Sequence, residues 1–236
     1  MREKEVFEII IRELAELMSN EGYQIKRKKL SSDKYVVFSK SEEEREFEWQ
    51  LTFLRYGRVA IRFAVFFKKV NELLLLIDPQ GKAFNKEIFS VKILNYLHSE
   101  NVDDYLHSGF PIDTPCENDI MLGQNLENVS KVLFTRYFLE PIPGLISKLG
   151  SLSKAHDLLN GKNTVDPQAG VLNWLLYCPH TIYQIKSSVL VAFLEDKNKL
   201  KSLIDFYLEY LSEDEEDDDL DELKLFLKVN LWATTE

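Results

Sequence analysis

The chain has 236 residues, of which 45% are hydrophobic, enough to form a sizeable core in one large domain or two small ones. Its net charge is −10, and nine of the negative charges fall within residues 213–222, which leaves only −1 for the rest of the chain. The acidity is therefore local, and it weighs against a protein that binds the phosphate backbone of nucleic acids over a broad surface.

The first part of the sequence, residues 2–78, predicts a helix followed by a β-meander. Apolar residues recur at helical spacing over residues 2–19, and Gly22 is placed to form a left-handed cap. Segments 23–26, 35–38, 47–53 and 59–67 are rich in β-branched and aromatic residues, which favours four strands. The short turns 30–33 and 55–58 imply antiparallel pairing. Residues 72–78 fit a fifth strand or a short buried helix, and we predict a strand.

Beyond residue 82 the periodicity is mainly helical. Helices are predicted at 88–98, at 126–139 until Pro141 and Pro143 end or kink the chain, and at 151–160 with Ser151 as N-cap. Further helices are predicted at 171–178, 181–195, 197–211 and 220–232. The region 99–123, rich in Gly, Pro and Asp, is predicted to be a long loop.

These elements define an α+β fold. We predict an N-terminal helix packed on a four- or five-stranded antiparallel sheet, followed by a mainly helical C-terminal half. Residues 1–82 and 83–236 would be two subregions of one structural unit.

The motifs of common enzyme classes are missing from the sequence. There is no GxSxG nucleophile elbow, no GxGxxG turn and no Walker lysine loop. None of the four histidines, His98, His107, His156 and His180, has metal-ligand spacing, and His156 and Asp157 are adjacent on a helix and so point apart. Cys116 and Cys178 are expected to be reduced thiols. We therefore expect no cofactor, no metal and a non-catalytic role.

The acidic segment, residues 213–222, allows three interpretations. An EF-hand loop that starts at Asp217 lacks both the glycine and the final glutamate, which argues against a calcium site. A run of like charges is typical of a solvated connector between two helices. It is also suited to binding a basic protein. The candidate partner-binding residues are Glu213, Asp214, Glu215, Glu216, Asp217, Asp218, Asp219, Asp221 and Glu222.

A basic cluster in the strand region suggests a further alternative. Residues 26–29 are four consecutive cations, and Arg55, Arg58 and Arg62 follow among aromatic residues. This composition occurs in nucleic-acid grooves. Because cations on sheet edges also discourage aggregation, and the chain as a whole is acidic, nucleic acid is not the expected partner.

Two rival functions remain open. An enzyme without a short motif could use Asp103, Asp104, His107 and Asp113 of the 99–123 loop as a pocket edge. A scaffolding subunit would instead expose an apolar patch on its helical half. The sequence opens with alternating charges and its apolar runs, such as residues 73–77, are short, so we expect a cytoplasmic location and no membrane span.

A resemblance favours binding over catalysis. The helix leading into residues 21–28, the aromatic hairpins and residues 138–155 together resemble bacterial domains of unknown function, some of which are similar to immunity proteins encoded beside secreted toxins. The resemblance covers residues 1–77 and 126–161 and carries over no catalytic residue. It implies a binding role. Together with the acidic segment it leads us to expect a non-catalytic intracellular binding module, an immunity-type inhibitor of a basic toxin or effector, in an oligomeric state that the sequence leaves open.

Overall fold

The computed structural model describes residues 3–30, 34–53, 59–77, 89–92, 126–160, 181–212 and 218–228. The chain divides into two compact units, residues 1–65 with 89–147, and residues 66–88 with 148–236. We call them the sheet unit and the helical unit. The subregion boundary predicted at residue 82 lies outside the described residues.

The sheet unit begins with an N-terminal helix, α1 (Glu3–Asn20), which is followed by an antiparallel meander. The neighbouring strands follow chain order in a five-stranded sheet. The strands are β1 (Gln24–Lys29), β2 (Lys34–Ser41), β3 (Arg45–Phe53), β4 (Val59–Phe67) and β5 (Phe89–Lys92). The described chain after β5 is helical, so the predicted α+β fold class is confirmed.

Helix α1 ends where the sequence predicts. Gly22 has a φ of +81°, and its N–H donates to the Ser19 carbonyl at 3.0 Å. The N–H of Tyr23 reaches back to the Met18 carbonyl at 3.0 Å. These two bonds form a Schellman motif, which closes the helix and turns the chain directly into β1.

One face of the sheet forms the core of this unit. Alternate residues of β3 are fully buried, and the ring of Phe53 stacks on Phe7 of α1 with 4.1 Å between centroids. Phe47 on β3 stacks on Phe63 of β4 at 5.9 Å. The two-residue period of β3 thus produces the apolar layer against which α1 packs.

A π-helical turn also supports this core. Helix α3 (Leu126–Phe134) continues into a π-helical turn (Thr135–Leu139), in which the Glu140 N–H donates to the Thr135 carbonyl. In a regular helix the Tyr137 carbonyl would accept from residue 141, but Pro141 has no N–H. Trp49 Nε1 of β3 donates to that carbonyl instead, at 3.2 Å. The proline thus ends the helix as predicted and leaves an acceptor that the sheet satisfies.

Two element predictions are wrong. Residues 72–78 were predicted as a strand, but residues 72–77 lie in helix α2 (Lys68–Ile77), in which Val70 and Leu74 are buried one turn apart. Residues 89–92, predicted as the start of a helix, form β5 and pair antiparallel with β4. A run of four leucines fits both periods, so packing decides its structure.

The helical unit contains α2, the end of helix α4 (Ile142–Leu149) and the helices that follow it. Helix α4 carries Pro143 in its first turn, where the missing N–H costs nothing, and its last two residues belong to this unit. The others are α5 (Leu152–Asn160), α6 (Thr181–Glu195), α7 (Lys197–Ser212) and α8 (Asp218–Leu227). The Ser151 hydroxyl accepts the Lys154 N–H at 3.2 Å, so the predicted N-cap is confirmed. The predicted loop 99–123 and helix 171–178 lie outside the described residues.

Candidate partner-binding site

The acidic segment runs into the N-terminus of α8. Of its nine acidic residues, the structure describes Asp218, Asp219, Asp221 and Glu222, and residues 213–217 lie outside the described part of the chain. Asp218, Asp219 and Asp221 stand in the first turn of the helix. Carboxylates are favoured there because the helix dipole places partial positive charge at its N-terminus. Helix formation therefore accounts for part of this charge pattern.

Glu222 has an intramolecular partner. The ammonium group of Lys186 on α6 donates to Glu222 Oε1, and the lysine side chain is only 2% exposed, against 38% for the glutamate. The same nitrogen lies 5.9 Å from the centroid of the Phe226 ring. A buried ammonium group is costly unless it is paired and hydrogen-bonded. Glu222 thus compensates a buried charge of the helical unit.

The other described carboxylates differ in their surroundings. Asp219 is half-buried, and its pKa is raised by burial and then by repulsion from Glu222 and Asp218, although Lys186 opposes the shift. Asp218 and Asp221 are exposed. Asp221 lies 3.4 Å from the ammonium group of Lys224, a contact of two solvent-exposed groups that contributes little. Asp218 and Asp221 therefore direct negative charge into solvent.

The exposed face of α8 also contains an apolar residue. Leu225 is 68% exposed and lies four residues after Asp221, on the same helical face. Leu223 and Phe226 are buried and anchor the opposite side of the helix. The helix thus combines carboxylates and one accessible leucine on a surface that the fold holds in place.

A buried polar network joins three helices of the helical unit. Asn160 of α5 donates through Nδ2 to His156 Nδ1 at 2.8 Å and to the Ser188 carbonyl of α6 at 3.2 Å. Its Oδ1 accepts from the hydroxyl of Tyr207 on α7 at 3.1 Å. All four residues are buried. Sequence analysis considered only His156 with Asp157 and missed this network, although His and Asn four residues apart share one face of a helix.

The surroundings of His156 in this network favour its neutral form. Burial lowers the pKa of His156, Lys199 lowers it further, and the carboxylates of Asp196, Asp157 and Glu195 oppose the shift. Burial also raises the pKa of Tyr207. Both the nitrogen and the oxygen of the Asn160 amide are hydrogen-bonded within the protein. The network therefore links α5 to α6 and α7.

The basic cluster of β1 is partly neutralised. A bulge between Ile25 and Arg27 lets both Lys26 and Arg27 reach Glu48 of β3, at 2.8 and 3.0 Å. Glu48 is 2% exposed, and Lys26 also contacts Glu46 at 2.8 Å. Burial alone would lower the pKa of Lys26, but the bonds to Glu46 and Glu48 raise it overall. Lys26 and Arg27 are therefore engaged in ion pairs on the sheet.

The remaining candidates are placed as follows. Asp103, Asp104, His107 and Asp113, the pocket residues of the rival enzyme interpretation, lie outside the described residues, as do Arg55 and Arg58.

Within the ranges that the structure covers, no group of three or more His, Cys, Asp or Glu side chains could hold a metal ion. Among the described helices, none combines the length and apolar character needed to cross a membrane.

Comparison with known proteins gives no further information. No family model, no curated protein and no solved structure matches this chain.

Proposed function

We propose that this protein is a non-catalytic intracellular binding module whose acidic segment binds a basic protein, as an immunity-type inhibitor of a basic toxin or effector. The observation that carries the proposal is the concentration of nine carboxylates within residues 213–222 of a chain that is otherwise nearly neutral. Complementary charge raises the rate at which partners meet and disfavours wrong partners. A basic protein is the partner that this pattern selects.

Helix α8 supports the proposal because it provides both components of a protein interface. Asp218 and Asp221 are exposed at its start, and Leu225 is exposed one turn later. Interfaces combine apolar anchors, which contribute most of the binding energy, with charges, which contribute rate and specificity. Leu225 would be the anchor, and the acidic segment would attract the partner.

The experiment that tests the proposal is affinity capture from lysate of the source organism at low salt, with three forms of the protein as bait. One is the wild type. The second replaces eight carboxylates, residues 213–219 and 221, with Asn or Gln and retains Glu222. The third removes the same number of charges from exposed positions elsewhere. Its substitutions fall on Glu5, Glu8, Glu16, Glu21, Glu43, Glu44, Asp205 and Glu209.

We expect the wild type and the charge-matched control to capture the same basic protein, and the neutralised segment to lose it. Because the two variants have equal net charge, the difference isolates the position of the charges. Equal capture by all three forms would show that the segment is a solvated connector. Capture of a partner without basic character would also contradict the proposal.

A scaffolding role is a second candidate, because two adjacent leucines of α2 face solvent. Leu75 is 45% and Leu76 is 69% exposed. Exposed apolar side chains that adjoin one another are typical of self-association surfaces. We would measure the molar mass in solution by light scattering. Scaffolding would be supported if the wild type is a dimer and the double variant Leu75→Gln, Leu76→Gln is a monomer. A monomeric wild type would exclude scaffolding through self-association of α2.

A further inference from the structure

We propose that the outer edge of β1 is a second binding site, which takes up a short acidic strand of a partner protein by β-augmentation. In this mode the partner's strand lies beside β1, extends the sheet and exchanges backbone hydrogen bonds with it. The site belongs to the sheet unit, and it does not depend on the function proposed for the acidic segment.

The first argument is the position of β1 at the end of the sheet. In the order β1-β2-β3-β4-β5, its neighbour within the described part of the chain is β2. A strand that pairs on one side only has backbone N–H and C=O groups that point away from the sheet on its other side. Residues 24–28 are exposed and Lys29 is half-buried, so another strand can reach this edge.

The second argument is the charge of the edge. β1 contains four cations and no carboxylate. Glu46 and Glu48 of β3 compensate Lys26 and Arg27, and this leaves the edge with a net positive charge, which includes the exposed Lys28. Side chains of opposite charge on neighbouring strands stabilise a sheet. The edge therefore favours a strand that carries carboxylates.

The same charges disfavour a second copy of this chain as the occupant. Pairing β1 with β1 of another molecule would bring two cationic runs, each formed by residues 26–29, close together. Like charges on neighbouring strands destabilise a sheet, and cations on an edge strand prevent self-pairing for this reason. Protection against self-association and preference for an acidic partner thus have one physical cause.

The third argument is the distribution of side chains over the two sides of the edge. Ile25 and Lys28 pair with Phe38 and Val36 of β2, so each lies on the same side of the sheet as its partner, whose side chain is in the core. Ile25 is nevertheless 43% exposed. The bulge after Ile25 interrupts the regular spacing of the strand, which suits a short occupant. A strand with one apolar residue among carboxylates matches this edge.

The test uses the synthetic peptide Glu-Glu-Glu-Val-Glu-Glu, blocked at both ends, and the full-length protein. Binding and hydrogen exchange of residues 24–29 are measured by nuclear magnetic resonance. The control peptide has the same side chains but a methyl group on each backbone nitrogen, which removes the N–H donors and keeps the charge. We expect the first peptide to slow exchange in β1 about fivefold or more, and the methylated peptide to bind about tenfold more weakly without slowing exchange.

A pair of variants separates the position of the charge from the net charge. Lys28→Glu reverses a charge on the edge and should weaken binding about fivefold, because an attraction between strands becomes a repulsion. Lys201→Glu makes the same change at an exposed position of α7 and should leave binding within about twofold of the wild type. Circular dichroism shows that the variants have folded, and Lys28→Gln replaces the first variant if charge reversal prevents folding.

The other outcomes each overturn the proposal. A wild type that does not bind the peptide, or binds it without slower exchange in β1, would exclude the site. Equal binding of both peptides would reduce the interaction to charge attraction, and equal loss in the two variants would deny the edge its role. Single-stranded DNA of equal charge that slows exchange in β1 more than the peptide does would make nucleic acid the ligand.

Two further controls identify occupants from the protein itself. Exchange in β1 that becomes faster when the wild type is diluted without peptide would show that a second copy occupies the edge. A variant neutralised at residues 213–219 and 221 that binds the peptide about tenfold more tightly than the wild type would show that the chain's own acidic segment occupies it. Either result would overturn the assignment of the edge to a partner protein.

Discussion

At the scale of single residues, the buried histidine is the clearest source of pH dependence. The Asn160 amide nitrogen donates to His156 Nδ1 and to the Ser188 carbonyl, while its oxygen accepts from Tyr207. Rotating the amide would bring its oxygen against the Ser188 carbonyl. His156 Nδ1 must therefore remain an acceptor, and the ring is neutral with its proton on Nε2.

Acid should destabilise the protein through this residue. The pKa of His156 is lowered from its ordinary value of 6.5 in the folded state, chiefly by burial. At a pH between the lowered pKa of His156 in the folded state and its ordinary pKa of 6.5, the unfolded chain binds more protons than the folded one. Stability therefore falls as the pH drops through the ordinary value, and it levels off below the folded one.

We predict that the free energy of unfolding, measured with urea, will fall as the pH is lowered, and that His156→Gln will make this dependence on pH less steep. One proton contributes at most about 1.4 kcal/mol per pH unit. Glutamine does not titrate and still offers an oxygen to Asn160. Identical slopes for the wild type and the variant between about pH 5 and pH 7.5 would contradict this role of His156.

At the scale of the elements, the end of α1 depends on one backbone conformation. A Cβ on Gly22 would lie 3.5 Å from the Lys40 side chain, an ordinary contact, so the cost of a substitution comes from the positive φ. Gly22→Ala should lower the free energy of unfolding by about 1 kcal/mol. Gly22→Asn should cost less, because asparagine tolerates this conformation. Denaturant titration of both variants tests the ordering, and an asparagine variant less stable than the alanine one would contradict it.

The π-helical turn depends on a donor from the sheet. Trp49→Phe removes the N–H that satisfies the Tyr137 carbonyl and should cost about 1–3 kcal/mol, since a buried acceptor is left unpaired. Amides of the turn should also exchange faster. Phe47→Leu is the control, because it reduces ring packing in the same core without removing a donor. Equal exchange of the turn in the two variants would argue against the bond.

The sequence predicted those elements whose local signals agree with their packing. The alternation in residues 47–53 fits only a strand. The apolar period of α1 fits only a helix, and Gly22 marks where that helix ends. Residues 73–76 were wrongly predicted because a short apolar run fits either period, and residues 89–92 because an alternation of four residues is too short to establish a strand. Helix α2 forms with Val70 and Leu74 against its own unit, and β5 forms because β4 offers it a pairing edge.

At the scale of the whole molecule, the sequence located the charge but not its internal partner. Lys186 and Glu222 are 36 residues apart, and no local pattern relates them. The available signal was a lysine within the apolar sequence of α6, where a charge needs compensation. Likewise, the pairing of Lys26 and Arg27 with Glu48 depends on a bulge that the sequence does not mark.

The distribution of charge leads to the central claim that the acidic segment recruits a basic protein. Exposed charges interact over about 10 Å at 0.1 M salt, and over shorter distances as salt rises. An encounter steered by the segment should therefore be fast at low ionic strength and slow at high ionic strength. Contacts made after the encounter, such as those of Leu225, should depend much less on salt.

The most direct measurement is the association rate constant of the captured partner as a function of salt. It would be determined for the wild type, for the variant neutralised at residues 213–219 and 221, and for the charge-matched control. We predict that the wild-type and control rates fall at least tenfold between about 50 mM and 500 mM NaCl, while the neutralised variant starts slower and changes little. A neutralised variant that matches the wild type in rate and in salt dependence would contradict the claim.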